Sequence, residues 1–101
     1  LNTMNKEFWD EIPAAFAEVD ADPSVRAVVI SSTGKHFTAG LDLNWAGTSL
    51  GNKVEDAGRA REAFRRHVKH LQDTFTAIDR CRVPVIAAIQ GGCIGGGVDF
   101  I

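Results

Sequence analysis

The residues best suited to chemistry in this sequence are two glycine-rich turns. Phe37-Thr38-Ala39-Gly40-Leu41-Asp42 lies mid-chain, and Gly91-Gly92-Cys93-Ile94-Gly95-Gly96-Gly97-Val98-Asp99 comes just before the last two residues. Each follows an apolar, strand-like run and leads toward a helix-like segment, so each can aim free backbone N–H groups at a shared point. Two such donors would form an oxyanion hole for charge developing on a carbonyl oxygen, where losing one donor typically costs on the order of 3 kcal/mol of transition-state stabilisation. Gly95, Gly96 and Gly97 let a ligand rest directly against the main chain, because no β-carbon stands in the way. The structural use of such glycines is a sharp turn and close helix packing with no ligand. A second turn of the same kind favours the site.

Other glycine-loop chemistries fail on spelling. A P-loop closes on Gly-Lys-Ser/Thr, but Gly97 is followed by Val98-Asp99, and the dinucleotide fingerprint of glycines at first, third and sixth places is missing. A nucleophile elbow needs serine between glycines, and Cys93 stands outside that arrangement. Asp99, two residues past Gly97, belongs to the first turn of a new helix, where a carboxylate either handles a proton or complements the helix N-terminus. Asp42 poses the same choice, and there capping is the preferred reading.

These turns need a scaffold. Phe8, Ile12, Phe16 and Val19 recur at helical spacing and predict an amphipathic helix over about 5–20, capped by Asn5 and either kinked at Pro13, the preferred reading, or split there into two shorter pieces. After the turn at Asp20-Ala21-Asp22-Pro23, the run Arg26 to Ser31 is rich in β-formers without alternation, as expected of a strand buried on both faces. The polar loop Ser32 to His36 feeds the first glycine turn. Beyond Asp42, the Gly/Ser/Thr/Asn-rich stretch to Asn52 predicts a mobile surface loop that could form part of a pocket. Phe64, Val68, Leu71, Phe75 and Ile78 predict a second helix over about 55–79, with Arg61, Arg65, Arg66 and Lys69 forming a solvated face. Pro84 precedes a second buried strand, Val85 to Ile89.

Alternation of helix and strand indicates an α/β protein with parallel strands joined by crossover helices. Two clear strands supply little core, so a chain whose end falls inside an apparent helix reads as a fragment. With 101 residues, 45% hydrophobic and 24% charged, it suits one soluble domain, and a net charge of -2 argues against nucleic-acid or anionic-membrane partners. No apolar stretch approaches a membrane span, and the polar start lacks the order of a signal peptide. Cys81, Cys93, His36, His67 and His70 show neither disulfide-framework nor zinc spacing. They read as small buried thiols and solvated histidines.

Together these residues resemble the enoyl-CoA hydratase/isomerase, or crotonase, superfamily, at Phe37 to Leu43 and Val83 to Asp99, over nearly the whole chain. Within it the likeness is greatest to the Δ3,5-Δ2,4-dienoyl-CoA isomerases, through Met4-Asn5-Lys6-Glu7-Phe8-Trp9, Phe37 to Leu43, Pro84 to Ala88 and, most specifically, Gly91 to Asp99. Hydratases of the superfamily commonly carry glutamate where Asp99 stands, which favours the isomerase. The departures are Pro13, the Arg82-Val83 pair before Pro84, and Gln90 where close relatives often carry histidine.

The resemblance implies an α/β fold, a crotonase-like spiral of ββα units, of which residues 1–101 form a partial core domain cut at both ends. It implies an acyl-CoA thioester substrate whose carbonyl sits between the peptide N–H groups of Leu41 and Gly96, with Ala39, Gly40, Asp42, Leu43 and Gly97 lining the site. Asp99 matches one of three acidic positions, and the other two lie beyond Ile101. The implied reaction moves the double bonds of a dienoyl-CoA in fatty-acid β-oxidation by proton removal and return, with no metal and no cofactor apart from the substrate's CoA. Alternatives are an enoyl-CoA hydratase and a non-catalytic acyl-CoA-binding chain. Relatives assemble as trimers or hexamers and work in mitochondria or peroxisomes, while a chain lacking the two downstream acids is expected to be inactive alone.

Overall fold

A computed structural model describes residues 1–49 and 56–101. The chain opens with strand β1 (Thr3–Met4) and helix α1 (Lys6–Ala21). Asn5 accepts the Phe8 N–H through Oδ1 at 3.1 Å and so caps α1, as its sequence position predicts. Pro13 lies inside this one helix, which continues to Ala21.

Strand β2 (Val28–Ser31) is followed by the polar loop, then by the short strand β3 (Gly40–Leu41). The next element corrects the expected surface loop: Leu43–Ser49 is helix α2, with Ala46 buried. Its cause is Asp42, whose Oδ1 accepts the N–H groups of Asn44 and Trp45, both at 3.0 Å, while Trp45 stacks on Trp9 of α1 with ring centroids 6.0 Å apart. A cap and an aromatic anchor outweigh the weak helix propensity of Gly47, Thr48 and Ser49. Residues 50–52 of the expected loop lie outside the described residues.

Helix α3 (Ala57–Asp79) begins at the cap Asp56, which accepts the Arg59 N–H at 2.8 Å, and the expected start at Glu55 lies outside the described residues. Strand β4 (Val85–Ala88) and the short helix α4 (Gly96–Phe100) complete the chain. The strands pair in parallel, β1 with β3 and β2 with β4, with Val28 opposite Val85 and Ser31 opposite Ala88. Parallel pairing through long connections is what the helix–strand order requires.

Both faces of β2 and β4 were expected to be buried, but each strand alternates between half-buried and exposed positions. Val29 and Ile86, paired in register, remain 62% and 54% exposed. Their neighbours Ile30 and Ala87, which point the other way, pack against the core. The core lies where α1 and α3 meet the start of the chain and the glycine turns: Met4, Trp9, Phe37 and Phe100 are buried, with Phe8, Leu71, Phe75 and Ile78 packed against them. Each such large side chain contributes about 2 kcal/mol by leaving water. Among the described residues, no helix is long and apolar enough to cross a membrane.

Candidate functional site

The two glycine turns, far apart in sequence, are stitched together by backbone hydrogen bonds. Phe37 N–H donates to Gln90 O at 2.8 Å, Thr38 N–H to Gly92 O at 3.2 Å and, in return, Ile94 N–H to Thr38 O at 3.2 Å. Thr38 and Cys93 thereby form a parallel bridge. On its other side the first turn is tied to the start of the chain: Ala39 N–H donates to Leu1 O, Asp42 N–H to Met4 O, and the Asn2 amide to Phe37 O. The buried Thr38 hydroxyl donates to Asn2 O at 2.7 Å and accepts the Gly40 N–H at 3.1 Å.

Close approach explains the glycines. Gly40 has φ +87°, and a β-carbon there would lie 2.7 Å from Ile94 O. A β-carbon on Gly97 would collide with the Thr38 methyl group and lie 3.1 Å from Cys93 Sγ, and one on Gly96 would lie 3.1 Å from Met4 Sδ. Packing is therefore one real use of these glycines, and it is the one that joins the turns.

Gly95, at φ +59°, precedes α4 without a side-chain cap. Gly97 N–H and Val98 N–H are taken by Ile94 O and Gly95 O, at 3.0 and 2.9 Å. Gly96 leads the helix, at the position where an N–H has no intrahelical acceptor. Asp99 sits in the first turn of α4 and is exposed.

Ala39, Leu41, Asp42 and Leu43 line one open cavity of ≈ 470 Å³ together with Leu1, Thr3 and Asn44. Gly40 is buried, while Gly96, Gly97 and Asp99 are not part of this lining. Asp42 serves as the cap of α2, and hydrogen bonds from the Trp45 N–H, the Thr3 hydroxyl and the Asn44 N–H hold its carboxyl below the ordinary value of 3.8. Its preferred reading as a cap is thus met. The arginines of α3 behave as a solvated face: Arg65 and Arg66 both pair with Glu62 and lower its carboxyl to about 2.

Sequence reading missed His36, which it took as solvated. Its Nδ1 accepts the Gly92 N–H at 2.9 Å. Only its place one residue before the first turn hinted at this. Cys81 and Cys93 are free thiols, half-buried rather than buried.

A strand-to-helix glycine turn, joined to a second one by parallel backbone pairing, defines the kind of site this chain carries. All 101 residues match the model of the enoyl-CoA hydratase/isomerase family, and the chain belongs to that family. It is 46% identical to the peroxisomal Delta(3,5)-Delta(2,4)-dienoyl-CoA isomerase of Arabidopsis thaliana, over 100% of this chain and 37% of that protein. It is 48% identical to the mitochondrial Delta(3,5)-Delta(2,4)-dienoyl-CoA isomerase of Homo sapiens, over 99% of this chain and 31% of that protein. The crystal structure of an enoyl-CoA hydratase/isomerase from Xanthobacter autotrophicus Py2 superposes with a TM-score of 0.75 at 28% identity, covering 97% of this chain and 34% of that one. The chain thus has the crotonase fold and spans about a third of the length of these relatives.

Proposed function

We propose that the protein to which this chain belongs is an acyl-CoA isomerase that shifts the double bonds of a dienoyl-CoA in fatty-acid β-oxidation. The thioester carbonyl rests between Leu41 N–H and Gly96 N–H, with Ala39, Gly40, Asp42, Leu43 and Gly97 around it. Removing a proton from the carbon chain turns that carbonyl oxygen into an enolate oxygen, whose charge the two N–H groups stabilise. Asp99 takes or returns a proton, and the second proton position is served by acids outside this chain. Protons removed and returned balance, so the reaction consumes no redox partner. The observation that carries the reading is the apposition of the turns at Gly40 and Ile94, since two donors can serve one oxygen only if their turns touch.

Identity to the two dienoyl-CoA isomerases supports the substrate class. The peroxisomal and mitochondrial settings of these relatives support one of the two for this protein, and a homotrimer or hexamer is the assembly proposed for the whole protein.

The test uses the full-length protein with calorimetry on an acyl-CoA and an ultraviolet assay of diene conversion. Asp99→Asn is expected to leave affinity within a few-fold and to lower turnover by ~10² or more, the scale of a proton-transfer group. Unchanged turnover would reduce Asp99 to a helix-end charge. Water addition to an enoyl-CoA without diene conversion would replace the isomerase by a hydratase, and binding without any turnover would make the protein a non-catalytic acyl-CoA binder.

A further inference from the structure

The second glycine turn is gripped from one side by the loop that precedes the first. Gln90 Nε2 lies within 3.0 Å of Ser32 O, Ser32 Oγ and Gly34 O, and the Ser32 hydroxyl in turn donates to His36 O at 3.1 Å. These contacts anchor the entrance to the turn. Inside it, among the described residues, the side chain that bonds the backbone is His36, whose Nδ1 takes the Gly92 N–H. The imidazole occupies space that only glycines leave open. A β-carbon on Gly91 would lie 2.8 Å from Nδ1, and one on Gly92 would lie 3.3 Å from it.

An imidazole nitrogen accepts a hydrogen bond only when it carries no proton. The contact therefore specifies the neutral ring with its proton on Nε2. A proton added at Nδ1 would set donor against donor and release Gly92. Four residues later the same turn presents Gly96, and the connection between them is short and held at Ile94 by Thr38.

We propose that His36 is a positioning residue for the second glycine turn: its unprotonated Nδ1 holds Gly92 and so sets the approach of the main chain to Gly96. The consequence for catalysis rests on the reading of Gly96 as an oxyanion donor, whereas the grip on Gly92 stands apart from it. Protonation of this one ring loosens the donor side of the site without touching substrate. Facing groups do not offset the added charge. From the turn side come Gly91 and Gly92, both uncharged, and the ≈ 280 Å³ cavity beside the ring is lined by Leu1, Asn2, Gly34 and Lys35, so that among these described residues the charged side chain is the cation of Lys35.

The experiment compares native full-length protein with His36→Asn, whose Oδ1 can stand where Nδ1 stands, and His36→Leu, which removes the acceptor. Nitrogen NMR of native His36 is expected to show the Nε2–H tautomer with a hydrogen-bonded Nδ1. Amide exchange at Gly92 is expected to quicken at least tenfold in His36→Leu and to return to within threefold of native in His36→Asn. Turnover of a dienoyl-CoA should follow the same order, falling about tenfold in His36→Leu with KM within threefold, because a displaced oxyanion donor is felt mainly in the transition state. A native Nδ1–H tautomer, or Gly92 exchange unaltered in both variants, overturns the proposal even if His36→Leu proves too unstable to assay. Quickened Gly92 exchange in His36→Leu that asparagine restores, with no acyl-CoA turnover in the native protein, upholds the grip and instead defeats the isomerase reading.

Discussion

Gly40 lies against the Ile94 carbonyl so closely that a methyl group at position 40 would come within 2.7 Å of that oxygen and 3.5 Å of the Gly95 Cα. Backbone meets backbone there, so no side-chain rotation relieves the contact. The φ of +87° adds a conformation that L-residues avoid.

Gly40→Ala is therefore expected to destabilise the full-length protein by about 3 kcal/mol, combining a disfavoured backbone with overpacking. Urea denaturation followed by fluorescence measures it. Native-like stability would mean that the two turns do not touch.

A different relief is available at Gly97, whose added methyl group would strike side chains, Thr38 Cγ2 and Cys93 Sγ. Gly97→Ala should cost about 2 kcal/mol. Thr38→Ser removes the obstructing methyl and keeps the hydroxyl that bonds Asn2 O and Gly40 N–H. The double variant should recover about 1 kcal/mol relative to additivity, a coupling that a double-mutant cycle reads directly.

Thr74 of α3 is 1% exposed, and among the described residues its buried hydroxyl has no hydrogen-bond partner. Thr74→Val keeps the shape and removes the unpaired polar atom, so thermal and chemical denaturation should both show a gain of about 1 kcal/mol. A loss of stability would place a bound water on that hydroxyl.

The pH dependence of α2 follows from Asp42. Its carboxyl is held below its ordinary value by the N–H of Trp45, the hydroxyl of Thr3 and the N–H of Asn44. A folded-state value lowered in this way means that its stabilisation is fully present above pH 3.8 and is lost as pH falls through the folded value. Asp42→Ala should thus lower stability at neutral pH and loosen α2, with the difference from native shrinking under acid. Denaturation curves at a series of pH values test the trend, and a pH-independent difference would remove the charge from the explanation.

Much of the scaffold was legible because its signals are local. Phe8, Ile12, Phe16 and Val19 repeat at helical spacing, Asn5 caps them, and the resulting helix needs no distant partner to be recognised. Asp42 was readable as a cap for the same reason. The stretch after it was not, because α2 depends on Trp45 finding Trp9, a contact between residues 36 positions apart that composition does not encode. The exposure of Val29 and Ile86 was equally hidden. An unbroken apolar run says that a strand can be buried on both faces, while packing decides which faces have a neighbour.

Which residues can make a donor-rich turn is written in the letters: Gly40 and Gly95 accept a left-handed backbone, and Gly96 and Gly97 leave the space that a β-carbon would fill. That the two turns meet, that Thr38 and Cys93 pair, and that His36 accepts from Gly92 rather than facing water is set by the folded chain. Turn chemistry is set by each residue's own steric freedom. Contact between turns more than 50 residues apart depends on parallel pairing and on α1 and α3 packing around one core, which no single stretch of chain specifies.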